Sequence, residues 1–155
     1  MVFLGLCCIG ATLSAATAAP DWQRVTIAPM KTSLYVASVR LTTSDFARTA
    51  DTFTATYEAK VVPWFFWSER GDITMRVSAA DLARLASGER IMFTGVAKNH
   101  RNKPREVTGY AEPSSTDGTS GRIKVRIHAD GVTLVFDGSY RADSAFEQSN
   151  QVTPP

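Results

Sequence analysis

Two stretches of this chain carry side chains able to recognise a ligand. The first is Pro63-Trp64-Phe65-Phe66-Trp67, four consecutive aromatics behind a proline. Read as a strand, the run sends two rings to each face, Trp64 with Phe66 and Phe65 with Trp67. One pair then enters a core. The other lies under a loop, in a pocket or at the surface. Aromatic rings bury large areas, so an exposed pair points to a sugar-stacking platform, an apolar pocket or a protein interface. The structural alternative puts the second pair beneath a helix at Leu82 and Leu85.

The second stretch is Lys98-Asn99-His100-Arg101-Asn102-Lys103-Pro104-Arg105, with four permanent positive charges and one histidine. Asn and Pro suit an exposed turn between strands. Lys98, Arg101, Lys103 and Arg105, with His100 among them, can hold phosphate or carboxylate through charge-assisted hydrogen bonds. Lipid headgroups, lipopolysaccharide and acidic glycans are the matching ligands, although charged hairpin tips also serve simply to stay soluble. A stripe of Arg122, Lys124, Arg126 and His128 would extend this region if its sheet were adjacent, with Asp137 partly neutralising Lys124.

Catalytic chemistry finds less support. The only histidines are His100 and His128, far apart in sequence and without the third histidine that a metal site would draw on. No Gly-x-Ser-x-Gly elbow and no phosphate-cradling glycine loop occurs. Glu58, Glu69 and Asp72 offer carboxylates for glycoside hydrolysis, but their spacing singles none of them out. The sequence assigns no catalytic residue, metal site or cofactor.

The elements that must position these residues are mostly strands. From Thr52 to Val61, Phe53, Ala55, Tyr57, Ala59 and Val61 alternate with polar residues, the period of a half-buried strand. Tyr35, Ala37, Val39 and Leu41 alternate similarly. Shorter strands are predicted at Gln23–Ala28, Ile73–Val77, Ile91–Lys98 and Glu106–Ala111. Arg122–Ala129 and Val132–Tyr140 flank Asp130-Gly131, a pair suited to a type I′ hairpin turn. That turn pairs Ala129 with Val132 and puts Ile127 opposite Leu134, Val125 opposite Phe136 and Ile123 opposite Gly138. One short helix is expected over 78–87, capped by Ser78, with Asp81 in its first turn and Gly88 terminating it. It is too short to stand alone, so it should plug an open end of the sheet or join two sheets. Pro113–Gly121 reads as a flexible loop.

The reading is therefore a mostly β, single-domain antiparallel β-sandwich or small β-barrel of about eight strands over 19–141, followed by a disordered tail over 142–155.

Residues 1–18 are uncharged and apolar through Ile9, and end in Ala16-Thr17-Ala18. This is the layout of a signal peptide cleaved near Ala18. A basic n-region is missing, so the true start is expected upstream of Met1. Cleavage would remove Cys7 and Cys8, the only cysteines, leaving a cysteine-free mature domain and no thiolate chemistry. The absence of any Asn-x-Ser/Thr sequon favours a bacterial periplasm. The net charge of +2 lies wholly in the mature part and is unlike the dense positive field of nucleic-acid binders.

The expected function is an exported, periplasmic or extracellular, non-catalytic binding or accessory protein of the bacterial envelope. It would hold an apolar or amphipathic anionic ligand, such as a lipid-like molecule, without a cofactor, a nucleic-acid partner or a stable membrane span. A glycan- or envelope-protein-binding β module is the alternative, and a small cofactor-free hydrolase the third reading.

Overall fold

The computed structural model describes residues 19–144. The expected leader and most of the expected tail lie outside the described residues.

Ten strand segments follow one another: β1 (Trp22–Ile27), β2 (Met30–Leu34), β3 (Ala37–Thr43), β4 (Phe46–Thr49), β5 (Thr52–Val62), β6 (Glu69–Arg76), β7 (Ile91–Asn99), β8 (Pro104–Pro113), β9 (Ser120–Ala129) and β10 (Val132–Ser144). One helix, α1 (Ala79–Ala86), separates β6 from β7. Every pairing is antiparallel.

β3 and β4 both pair with the same edge of β5, so they are two halves of one stave interrupted at Ser44-Asp45. β1 and β2 form a second divided stave, pairing with β4 and β3 respectively. Pro29 stands at that break and has no N–H to give a ladder. At the other break Ser44 Oγ accepts the Thr56 N–H at 3.0 Å, replacing a ladder bond. Pairing of β1 with β10 and of β5 with β6 closes the sheet. The result is an eight-stave antiparallel β-barrel, which decides between the sandwich and the barrel.

Alternation builds the wall. On β5, Phe53, Ala55 and Tyr57 are buried while Thr54, Thr56 and Glu58 are exposed. The inner face is an apolar core whose most enclosed members are Phe46, Phe136, Leu41 and Val107. The outer wall carries Arg40, Lys60, Arg70, Asp72 and Arg122 in exposed positions. This is the reverse of a barrel whose outer wall meets lipid.

The β9–β10 hairpin has the register the turn dictates, Ala129 opposite Val132 through Ile123 opposite Gly138. Asp130 and Gly131 both take positive φ, 47° and 82°. Lys124 pairs with Asp137 at 3.2 Å.

α1 closes one end of the barrel. Ser78 Oγ accepts the Asp81 N–H at 3.1 Å, and Gly88 ends the helix with φ 93°. Leu82 and Leu85 are buried, each contributing about 2 kcal/mol of apolar transfer that an isolated two-turn helix lacks. Only about 50 Å³ remains empty between them and Trp22, Phe53, Phe93 and Tyr140.

Beyond the unexpected β2 and β4 and shifts of one or two residues at other strand ends, three boundaries differ from expectation. Tyr35 is not an inward strand residue; it sits in the β2–β3 turn with φ 51° and is 99 % exposed. β6 starts at Glu69 rather than Ile73, because the charged run Glu69–Asp72 hides the alternation. β10 continues through Ser144, past the expected domain end at 141, with Ala142 buried against the core.

Burial also sets an alkaline limit. Desolvation, then Glu69, pushes the Tyr57 phenol up to about 12. Desolvation, then Asp117, does the same to Tyr140, whose hydroxyl donates to the Gly118 carbonyl at 3.0 Å. A raised folded pKa gives a contribution intact below the ordinary value of 10 and lost as pH climbs toward 12. Denaturant midpoints are expected to fall across that window, and less steeply in Tyr57→Phe/Tyr140→Phe. Equal slopes in both proteins would contradict the burial of these phenols.

Candidate functional site

The end opposite α1 is open. Four connections meet there: the Tyr35-Val36 turn, the segment 63–68, the β7–β8 loop and the Asp130-Gly131 turn. They surround a cavity of about 500 Å³. Leu34, Val39, Ala59, Val61 and Leu134 form its apolar wall, while Phe66, Trp67, His100, Arg101 and Lys103 stand at its rim.

The aromatic segment is not a strand. Pro63 follows β5 through a cis bond, and Phe65–Trp67 forms a 3-10 turn. Trp67 N–H donates to the Trp64 carbonyl at 3.1 Å and Ser68 N–H to the Phe65 carbonyl at 3.0 Å. Ser68 Oγ then accepts the Val61 N–H at 3.1 Å. Two-by-two alternation therefore does not occur. Trp64 packs against the core, and Trp67 leans on it with ring centroids 5.0 Å apart. Phe66 meets Trp67 edge to face at 5.3 Å. Phe66 and Trp67 line the cavity; Trp64 anchors them from behind, and Phe65, 70 % exposed, lies outside it. None sits beneath Leu82 and Leu85, which are at the other end of the barrel.

The basic loop divides in the same way. Arg101, Lys103 and His100 reach the rim. Lys98 faces the outer wall, opposite Asp72, and does not join the cavity. Arg105 is not an exposed loop charge: it is 6 % exposed and belongs to the inner face of β8. Its guanidinium forks onto Asp130, with both contacts at 2.8 Å, and also reaches Glu69 Oε1 at 2.8 Å. Hydrogen bonds from Asp130 first and Glu69 second raise the Arg105 pKa above its already high value. Arg105 in turn holds the Asp130 carboxyl below the usual carboxylate range.

Asn99, 4 % exposed, links this ion cluster to the loop. Its Nδ2 donates to Glu69 at 3.0 Å, and its Oδ1 accepts the Arg101 and Lys103 N–H groups at 3.0 Å each. Glu69 and Asp130 are both engaged by Arg105. Among the described residues, Arg101 and Lys103 therefore have no carboxylate within ion-pair distance. The rim keeps net positive charge above an apolar wall.

Truncating Asn99 leaves two loop N–H groups without their acceptor, so Asn99→Ala is expected to cost about 2 kcal/mol. It should also speed hydrogen exchange at the Arg101 and Lys103 amides. Unchanged exchange there would show that the loop holds itself.

Of the other candidates, His100, Glu58 and Asp72 border one open depression on the outer wall together with Arg70, and His128 stands apart. His128 is exposed on β9, its Nδ1 2.9 Å from Thr133 Oγ1. The His100 ring makes no hydrogen bond to a carboxylate among the described residues, and the His100 backbone N–H donates to the Arg70 carbonyl at 2.8 Å. Glu58 pairs with Lys60 on the outer wall at 3.3 Å, and Asp72 is also exposed there. No trio of metal-ligating side chains occurs among the described residues. Arg122 and His128 stand opposite Glu112 and Glu106, so their stripe is offset by acids and does not extend the rim.

Sequence reasoning missed Glu69, Asn99 and Asp130 as parts of one cluster. A signal existed. Arg105 shares its parity with inward Val107 and Ala111, Asn99 with Ala97 and Phe93, and Glu69 with Ile73 and Met75. Extending each apolar alternation by two or four residues puts all three inside.

Comparison of the chain with protein-family models, curated proteins and solved structures gives no match, so the geometry of this open end carries the functional argument.

Proposed function

We propose that this protein is an exported, non-catalytic binding protein of the bacterial envelope that holds an amphipathic, anionic small molecule in the open end of its barrel. The carrying observation is the convergence of two distant segments on one cavity. Phe66 and Trp67 extend its apolar wall, and Arg101 and Lys103 stand above it with no carboxylate within ion-pair distance among the described residues. A volume of about 500 Å³ falls in the range that small-molecule sites occupy. The plug at α1 makes the cavity blind, so a ligand would enter tail first and leave its charged head at the basic rim. The uncharged residues 1–18, apolar through Ile9 and ending Ala16-Thr17-Ala18, support export.

Titration with saturated carboxylates of increasing length tests the reading. Each buried methylene adds about 0.8 kcal/mol, so affinity should climb roughly fourfold per carbon and level off once the wall is covered. Arg101→Ala/Lys103→Ala should weaken the carboxylates, but not alcohols of equal length, and should flatten the salt dependence. Affinity independent of chain length would overturn the proposal. The edge-to-face Phe66 and Trp67 pair at the rim also fits stacking on a sugar ring. Binding of oligosaccharides without any response to carboxylates would move the conclusion to a glycan module.

A further inference from the structure

Four exposed apolar side chains at the open end are left unexplained by the cavity, with Val62, 47 % exposed, the least of them. Tyr35, Val36 and Phe65 are 99 %, 77 % and 70 % exposed, and none lines the cavity wall. With Phe66, Trp67 and Val132 they crowd the same end of the barrel. At the α1 end the inward apolar residues are covered by the plug, although Met92 on the outer wall there is 66 % exposed. Tyr35 is the most telling of them. Its φ of 51° is a conformation that glycine or asparagine adopts without strain and a bulky aromatic does not. The turn therefore holds a strained tyrosine whose ring packs on nothing.

On the wall of β2, β3 and β5 behind these tips positive charge predominates, while Asp130 at the same end is engaged by Arg105. Lys31 stands opposite Arg40, and Arg40 opposite Lys60, in a row across the outer faces of β2, β3 and β5. Lys60 lies two residues, about 7 Å, behind Val62 and the rim. Like charges placed directly across strands repel. Of the three, only Lys60 has an acidic partner among the described residues, Glu58. Near the α1 end, by contrast, Arg84 pairs with Asp81 and Glu89, and Arg90 with Glu112.

We propose that the open end of the barrel docks onto an anionic lipid bilayer. Tyr35, Val36 and Phe65 enter the headgroup boundary, and Lys31, Arg40, Arg101 and Lys103 face lipid phosphates. Protruding apolar tips backed by a basic collar complement a soft, negatively charged interface. Aromatic side chains favour that depth. The core of a protein interface, in contrast, is depleted of lysine. Docking in this orientation turns the cavity mouth toward the membrane, but it does not require the cavity to be filled, so it goes beyond the binding function.

Co-sedimentation with vesicles of phosphatidylcholine, alone or mixed with phosphatidylglycerol, tests the proposal. The protein is expected to bind mixed vesicles at least ~10-fold more tightly than neutral ones, with an advantage that salt removes. Tyr35→Asn/Phe65→Ser and Lys31→Gln/Arg40→Gln should each weaken binding by ~10-fold or more. Asparagine suits the φ of position 35, so the first variant should keep its thermal midpoint. Neither variant alters a cavity residue, so both should still bind long-chain carboxylates in solution. Failure of docking is thus read separately from failure of ligand binding. Equal affinity for neutral and mixed vesicles, or undiminished binding by the Tyr35→Asn/Phe65→Ser variant, would overturn the proposal. So would self-association through this end in place of vesicle binding.

Discussion

Phe136→Ala is expected to remove about 4 kcal/mol of stability, the cost of emptying a fully enclosed aromatic site. Phe136 has no exposed surface and stands on β10 between two regions of different character. Leu134, two residues toward the open end, lines the open cavity; Tyr140 and Ala142, toward the other, line the closed space beneath α1. Phe136 lines neither space, and along this stave it is the core residue that separates them. Its loss should therefore lower the urea midpoint and also deepen the cavity. Carboxylates longer than those that saturate the wild type should then continue to gain affinity. A large stability loss with an unchanged chain-length plateau would show that another residue sets the floor.

Arg105→Met is expected to cost about 3 kcal/mol, because a buried ion cluster loses the partner that both acids share. The figure rests on Arg105 and Glu69, whose side chains are 7 % and 27 % exposed. Asp130 is largely exposed and is expected to turn to solvent. Adding Glu69→Leu to Arg105→Met should return part of the loss, a non-additivity of 1 kcal/mol or more. Asp130 gives the cluster a pH signature. Its folded pKa is depressed, so its contribution is present above the ordinary carboxylate pKa and fades as acid protonates the folded form. Arg105→Met should flatten the acid limb of the stability curve. A loss under 1 kcal/mol would mean that water already screens the cluster.

Much of the barrel is legible in the sequence because local rules decide it. Asp130-Gly131 fixes a turn, the turn fixes the register, and the register places Ile123, Val125, Phe136 and Leu134 on one side. Ser78, Asp81 and Gly88 mark the helix by capping chemistry alone. Closure is different. The pairing of β1 with β10 joins residues from the two ends of the domain, and no local pattern encodes it. The segment at Phe66 meets the loop at Arg101 through the β5–β6 and β6–β7 pairings, but enclosing both around one cavity with Leu34 and Leu134 needs that closure.

The aromatic run misled for a local reason. Its composition favours a strand, but Pro63 interrupts the ladder and i→i+3 bonds capture the next residues. Arg105 misled because a charge near a loop reads as solvated, although its parity with Val107 and Ala111 puts it inside. The buried cluster with Glu69 and Asn99 is where charge type and alternation disagree. Such disagreements are expected at functional sites.

The most direct test of the binding reading is a nuclear magnetic resonance map of a long-chain carboxylate titrated into the protein. Saturable shifts are expected at the Leu34, Val61 and Leu134 methyls and the Ala59 amide, together with the Arg101 and Lys103 amides. They should be absent in Ala59→Trp, where an indole fills the cavity. Shifts confined to the outer wall or to the α1 end, or binding undisturbed by Ala59→Trp, would contradict it.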